Sequence, residues 1–141
     1  MASEERIRPL EGRLGARILV VDNRPDMLEL VGDYLSILGL TAVTAANGLD
    51  ALARVREGVE LALIDIRMPE MDGIALLRAI RQHARNLPVL LMTGHPLPDE
   101  YAEAERLWVS GLLRKPFGLG ELRSAIAAIL PPKADEEDRK P

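Results

Sequence analysis

Short apolar runs alternate five times with stretches of helical periodicity along this chain, and that alternation leaves few folds open. The runs are Arg17–Val21, Thr41–Ala45, 61–64, 89–92 and 110–113. The first is continuous and β-branched, as a strand buried on both faces must be. After it, Pro25 suits a first helical turn, and Met27, Val31, Tyr34 and Leu38 recur at helical spacing up to Gly39. Asn47 and Gly48 turn the chain into a helix marked by Leu49, Leu52 and Val55. A third helix steps through Ile74, Leu77 and Ile80 or Arg81. A weaker, polar one covers 99–107, and Leu119, Leu122, Ile126 and Ile129 define the last, stopped by Pro131 and Pro132. Strands and helices in strict alternation call for one parallel sheet with helices on both faces. Right-handed crossovers and this length predict a doubly wound α/β sandwich of five strands in the order 2-1-3-4-5.

Such a sheet binds its ligands beyond the carboxyl ends of its strands. Four polar residues stand there: Asp22 after the first run, Asp65 after the third, Thr93 after the fourth and Lys115 after the last. Two acids able to hold a metal, a hydroxyl and an amine suit a phosphoryl group.

Composition closes off other classes. The 141 residues fit one domain with a real core, flanked by a loose leader over 1–15 and a charged, disordered tail over 132–141. A net charge of −4 and a 3% aromatic content give no reason to expect direct nucleic-acid binding. No cysteine is present, which excludes disulfides and thiolate chemistry and fits a cytoplasmic setting. No apolar stretch approaches the roughly 20 residues that span a bilayer, so no membrane partner is expected.

The motifs, taken together, resemble the receiver domain of two-component response regulators. ILVVDNRPDMLELVGDYLSILG is similar to that family's first strand, acidic turn and first helix, and AANGLDAL to its second-helix entry. LALIDIRMPEMDGIALL is the most specific stretch, with PVLLMTGH and LLRKPF following in family order. The resemblance covers about residues 17 to 130 and implies a CheY-like, flavodoxin-type (βα)5 fold over 16–131.

It also implies roles. Asp65 corresponds to the phosphoacceptor, Thr93 to the switch hydroxyl, and Lys115, before Pro116, to the lysine that pairs with the phosphoryl group and with Asp65. Asp22, Asp65 and the main-chain carbonyl of Arg67 would hold Mg2+. Asn23 stands where the family usually has a second acid. It offers a carbonyl oxygen without charge, so weaker Mg2+ binding is expected. Three residues before Lys115 the family has an aromatic switch residue, whereas this chain has Leu112. Trp108 and Leu112 are therefore expected to form an apolar output patch with the fourth and fifth helices. Arg67 and His95 flank the site in sequence. Each is expected to be a solvated surface residue, the alternative being contact with the attacking water or the phosphoryl group that alters the lifetime of the acyl phosphate.

The function so implied is that of a single-domain response regulator. It would take a phosphoryl group from a sensor histidine kinase or phosphotransfer protein and signal to an unknown downstream protein, with a homodimer as one outcome. It would be a phosphoacceptor that assists its own transfer rather than an enzyme. The alternative is a degenerate receiver acting as a phosphorylation-independent interaction module, to which Asn23 and Leu112 point. A phosphatase on a similar sheet would need an acid two residues after its nucleophile, where Arg67 stands. A flavin carrier would need a Ser/Thr/Gly-rich loop after the first strand.

Overall fold

The computed structural model describes residues 8–131. Five parallel strands lie in the order β2-β1-β3-β4-β5: β1 Arg17–Val21, β2 Thr41–Ala45, β3 Leu61–Asp65, β4 Val89–Thr93 and β5 Gly111–Arg114. The helices are α1 Pro25–Ile37, α2 Gly48–Glu57, α3 Gly73–His83, α4 Pro98–Arg106 and α5 Leu119–Ile129. The doubly wound order inferred from the alternation is the one observed.

Strand alternation divides the core into two layers. Ile18, Val20, Leu61, Leu63, Leu90 and Met92 face α1 and α5, where they meet Val31, Leu35, Leu122 and Ile126. Leu19, Val21, Ala62, Ile64, Val89 and Leu91 face α2, α3 and α4, against Ala51, Leu76, Leu77, Ile80 and Ala104. The central strands β3 and β4 are buried along their whole length. They therefore read in the sequence as unbroken apolar runs.

Three helix starts are set by specific groups. Pro25 opens α1, where the missing N–H costs nothing. The Asn47 side chain accepts from Asp50 N at 2.9 Å to cap α2, and Asp72 accepts from Ala75 N at 2.8 Å to cap α3. Gly39 ends the turn after α1 at φ +80°, and the Leu14 side chain occupies the space a Cβ would need.

Boundaries differ from the sequence reading in three places. Asp65 and Thr93 close their strands from within, and β5 runs one residue later than expected. The expected leader is packed from residue 10 onward. Leu10 is buried and its N–H bonds to the Leu38 carbonyl, Glu11–Arg13 form a 3-10 turn, and Gly15 N bonds to Gly39 O. The buried Leu10 side chain and these main-chain bonds together dock the segment onto the end of α1. The rest of the expected leader, 1–7, and the expected tail, 132–141, lie outside the described residues.

Candidate phosphoacceptor site

The parallel register assembles the site. Val21 pairs with Ile64, so the next residues, Asp22 and Asp65, stand level at the carboxyl rim. Asp65 in turn pairs with Met92, just before Thr93, and Thr93 pairs with Arg114, just before Lys115. Four residues, the outermost 93 apart in sequence, thus become neighbours at the ends of four adjoining strands, β1, β3, β4 and β5.

Side-chain contacts complete the convergence. Lys115 Nζ lies 2.8 Å from Asp22 Oδ2 and 3.4 Å from Asp65 Oδ1, so one ammonium bridges both acids. Asp22 is fully buried, and its second oxygen accepts from Arg24 N at 3.0 Å. Asp65 is 5% exposed, with Oδ1 also 3.4 Å from Arg67 N. Its Oδ2 receives no hydrogen bond from the described residues. Buried Thr93 accepts from His95 N at 3.1 Å, and its own hydroxyl proton is given to none of the described residues. Lys115 N donates to Thr93 O at 2.7 Å, which ties the lysine's strand end to the hydroxyl's, and the Lys115–Pro116 peptide is cis.

Burial pushes the Asp65 carboxyl above its ordinary range. The Lys115 charge opposes that rise, the neighbouring Asp22 charge adds to it, and the Arg67 N–H opposes it. A carboxylate at this point is therefore costly to keep charged, and a cation added beside the pair would relieve it.

The local fold holds Asp65 tightly. Gly73 begins α3 against the backbone of the strand's end: a Cβ there would meet Asp65 O at 2.5 Å and Ile66 Cα at 2.8 Å. Gly73 N also donates to Ile66 O at 2.8 Å. Only glycine lets the helix start this close to the Asp65 main chain.

These groups suit Mg2+. That ion takes one or two carboxylates, keeps several waters and prefers hard oxygen donors. Asp22 and Asp65 provide the carboxylates, and the Arg67 carbonyl accepts no hydrogen bond from the described residues. Among those residues no cluster of three or more His, Asp or Glu side chains occurs, so a metal here would rest on two acids. Asn23 stands exposed on the wall of a depression of about 370 Å3 that it shares with Asn47, Met68 and Glu70.

The expected Trp108–Leu112 patch is not formed as drawn. Trp108 is 63% exposed in the turn after α4, at φ +57°, beside Arg81, Leu87 and Pro88 at the opposite rim. Leu112 is half-buried against the α2–α4 layer, while α5 lies on the other face of the sheet. Strand alternation turns Leu113, not Leu112, toward α5.

One pairing was not visible in the sequence. Arg67, expected to be solvated, holds both carboxylate oxygens of Glu100, one at 2.9 Å, and reaches His95 O at 3.3 Å. Glu100 reads in sequence only as an acid in the first turn of a helix. The signal that pairs them is the adjacency of β3 and β4, available once strand order is assigned.

The response regulator receiver domain model matches residues 18–127. The chain belongs to that family. The receiver domain is 32% identical over 123 residues to sporulation initiation phosphotransferase F of Bacillus subtilis, covering 86% of this chain and 99% of that protein. It is 35% identical over 115 residues to a CpxR homolog, a transcriptional regulatory protein of Haemophilus influenzae, covering 82% of this chain but 50% of that one. The chain thus spans half the length of that relative. Among solved structures, the chemotaxis protein CheY4 of Vibrio cholerae superposes with a TM-score of 0.79 at 28% identity, covering 82% of this chain and 99% of that one. Receiver domains generally bind Mg2+ and interact with histidine kinases or phosphotransfer proteins.

Proposed function

We propose that this receiver domain accepts a phosphoryl group on Asp65 from a sensor histidine kinase or a phosphotransfer protein, and signals through phosphorylation-dependent contact with a downstream protein. One observation carries the reading: Asp65 has one oxygen engaged and one uncommitted, beside an ammonium already shared with Asp22.

Asp65 Oδ2 would attack the phosphorus of a phosphohistidine. An O–P bond forms, the P–N bond breaks, and the imidazole nitrogen leaves with the bonding pair. Positioning and charge neutralisation supply most of such a transfer. Lys115 is held by Asp22, which keeps its charge at the site while its contact with Asp65 is exchanged for a phosphoryl oxygen. Thr93 has a proton to give to another of those oxygens. Mg2+, held by Asp22, Asp65 and the Arg67 carbonyl, would neutralise charge on the transferring group. Asn23 withholds the usual extra negative charge, which weakens that metal.

The domain is on this reading a stoichiometric phosphoacceptor that assists its own modification, not a turnover enzyme. Its likeness to a phosphotransferase over nearly that protein's full length favours a place in a phosphorelay. We place it in the cytoplasm with its donor. Among the described residues no helix is long and apolar enough to cross a membrane.

Incubation with acetyl phosphate and Mg2+, followed by intact-mass measurement, tests the reading. One phosphoryl adduct is expected on the native protein and none on Asp65→Asn. A native protein that takes no adduct, beside a working control receiver, would favour the phosphorylation-independent module.

A further inference from the structure

We propose that the cleft at the amino rim of the sheet, between the turns that follow α3 and α4, binds a small aromatic anion, with its planar ring stacked on Trp108 and its phosphate or carboxylate arm held by Arg85. The inference stands apart from the phosphoacceptor reading. Pro88 and Ser110 line the cleft just before β4 and β5 begin, whereas Asp65 closes β3 at the opposite rim.

The cleft holds about 530 Å3, inside the span of roughly 300–1,000 Å3 that small-molecule sites occupy. Its lining includes two arginines and no acid, in a chain of net charge −4. Arg85, Asn86 and Ser110 are exposed there, and their side chains bond to none of the described residues. A cation, an amide and a hydroxyl are thus uncommitted on the walls of one concavity.

Trp108 stands where packing would not put it. Its φ of +57° makes it the one non-glycine residue at positive φ among the described residues. In that conformation a Cβ crowds the following carbonyl, and glycine or asparagine is the usual occupant. The side chain is also 63% exposed, so most of the largest apolar surface a residue can offer stays in water. Neither core packing nor turn chemistry accounts for an indole here. A free aromatic face on the wall of a cationic cleft does.

Arg81 makes that wall rigid. Its guanidinium donates to Leu107 O at 2.7 Å and Trp108 O at 3.0 Å on one side. On the other it donates to Leu87 O at 2.7 Å and Ala84 O at 3.2 Å. One side chain therefore ties both turns that border the cleft, and it is 7% exposed. All four acceptors are main-chain carbonyls, so this buried charge meets dipoles and no carboxylate among the described residues. Its field reaches an anion in the cleft with little screening. Arg85 adds a mobile guanidinium, whose planar fork matches a phosphate or a carboxylate. A ring between that fork and the indole gains stacking and cation–π contact. The turn that carries the indole is already fixed, so binding need not order it.

The chain has one tryptophan, so a single indole N–H resonance reports on the cleft. Isotope-labelled protein, without added divalent ions, is titrated with adenosine monophosphate and with benzoate, and with their neutral counterparts adenosine and benzamide. At least one of the two anions is expected to move the resonance to saturation, and the tighter one names the arm. Its neutral counterpart is expected to bind about tenfold more weakly, the loss of one charge-assisted contact. Arg85→Gln should weaken the anion to the level of that counterpart. Arg114→Gln, the same change of charge on an exposed residue at the other rim, should leave the native affinity. The anion's ring protons should move upfield on stacking, and Trp108→Gly, which suits the backbone at φ +57°, should abolish that movement. The proposal is overturned if neither anion saturates or if the neutral ring binds as tightly. It is equally overturned if Arg85→Gln binds as the native protein does, if Arg114→Gln weakens as much as Arg85→Gln, or if Trp108→Gly still shifts the ring protons.

Discussion

At the scale of the residue, Asp65 shows how a fold tunes a carboxyl group. Its burial raises the carboxyl, and the Lys115 charge opposes that rise without cancelling it. The charged form is thus disfavoured by folding. A folded carboxyl raised above its unfolded value binds more protons than the unfolded chain between those two values. Stability from this group is then present at acid pH and falls as pH rises through the folded value. Asp65→Asn is expected to melt higher than the native protein at pH 7, with the difference shrinking toward pH 3 in a calorimetric series. Lys115→Ala removes the charge that opposes the rise, so Asp65 should titrate at still higher pH by carboxyl-carbon NMR. Its phosphorylation by acetyl phosphate should slow by about a hundredfold, the usual loss when one preorganised charge donor is removed.

At the scale of the element, two short contacts decide how loops are aimed. Gly73 brings α3 against the Asp65 main chain, so Gly73→Ala must move either the helix start or the end of β3. The expected cost is about 1–3 kcal/mol in urea denaturation, with a reduced labelling rate that Gly58→Ala, distant from the site, does not share. Arg81 is the second. Its desolvated guanidinium donates to carbonyls of two segments, Leu107 and Trp108 in the turn after α4 and Leu87 before β4. Arg81→Leu is expected to cost about 3–5 kcal/mol by the same measurement. In the sequence this residue is indistinguishable from any helical arginine, because its partners are main-chain atoms in turns whose course the sequence does not display.

At the scale of the whole molecule, the sheet was legible because its strands are buried on both faces and interrupted by turn residues. The four site residues were legible because a parallel sheet puts all its carboxyl ends on one rim. What depended on facing was not. Trp108 and Leu112 lie four residues apart, yet the turn at Trp108 and the pleat at Leu112 send them to different surroundings. Leu10 looked like part of a loose leader because one apolar residue carries no periodicity, and its burial requires the end of α1 as a partner. The Arg67–Glu100 pair joins residues 33 apart. The layered core also sets the stability. Leu63 is fully buried at the centre of β3, and Leu63→Ala is expected to lose about 2–5 kcal/mol in urea denaturation while the mass of the phospho-adduct stays detectable.

The docked turn at Glu11–Arg13 has a geometric corollary. Arg13 donates to Pro131 O at 2.8 Å and pairs with Glu60 at 2.9 Å, so both limits of the described backbone are clasped together where β1 begins. The acids open at the other pole. A tether, bead or fused module joined through residue 8 or residue 131 would therefore depart from the antipode of Asp22 and Asp65.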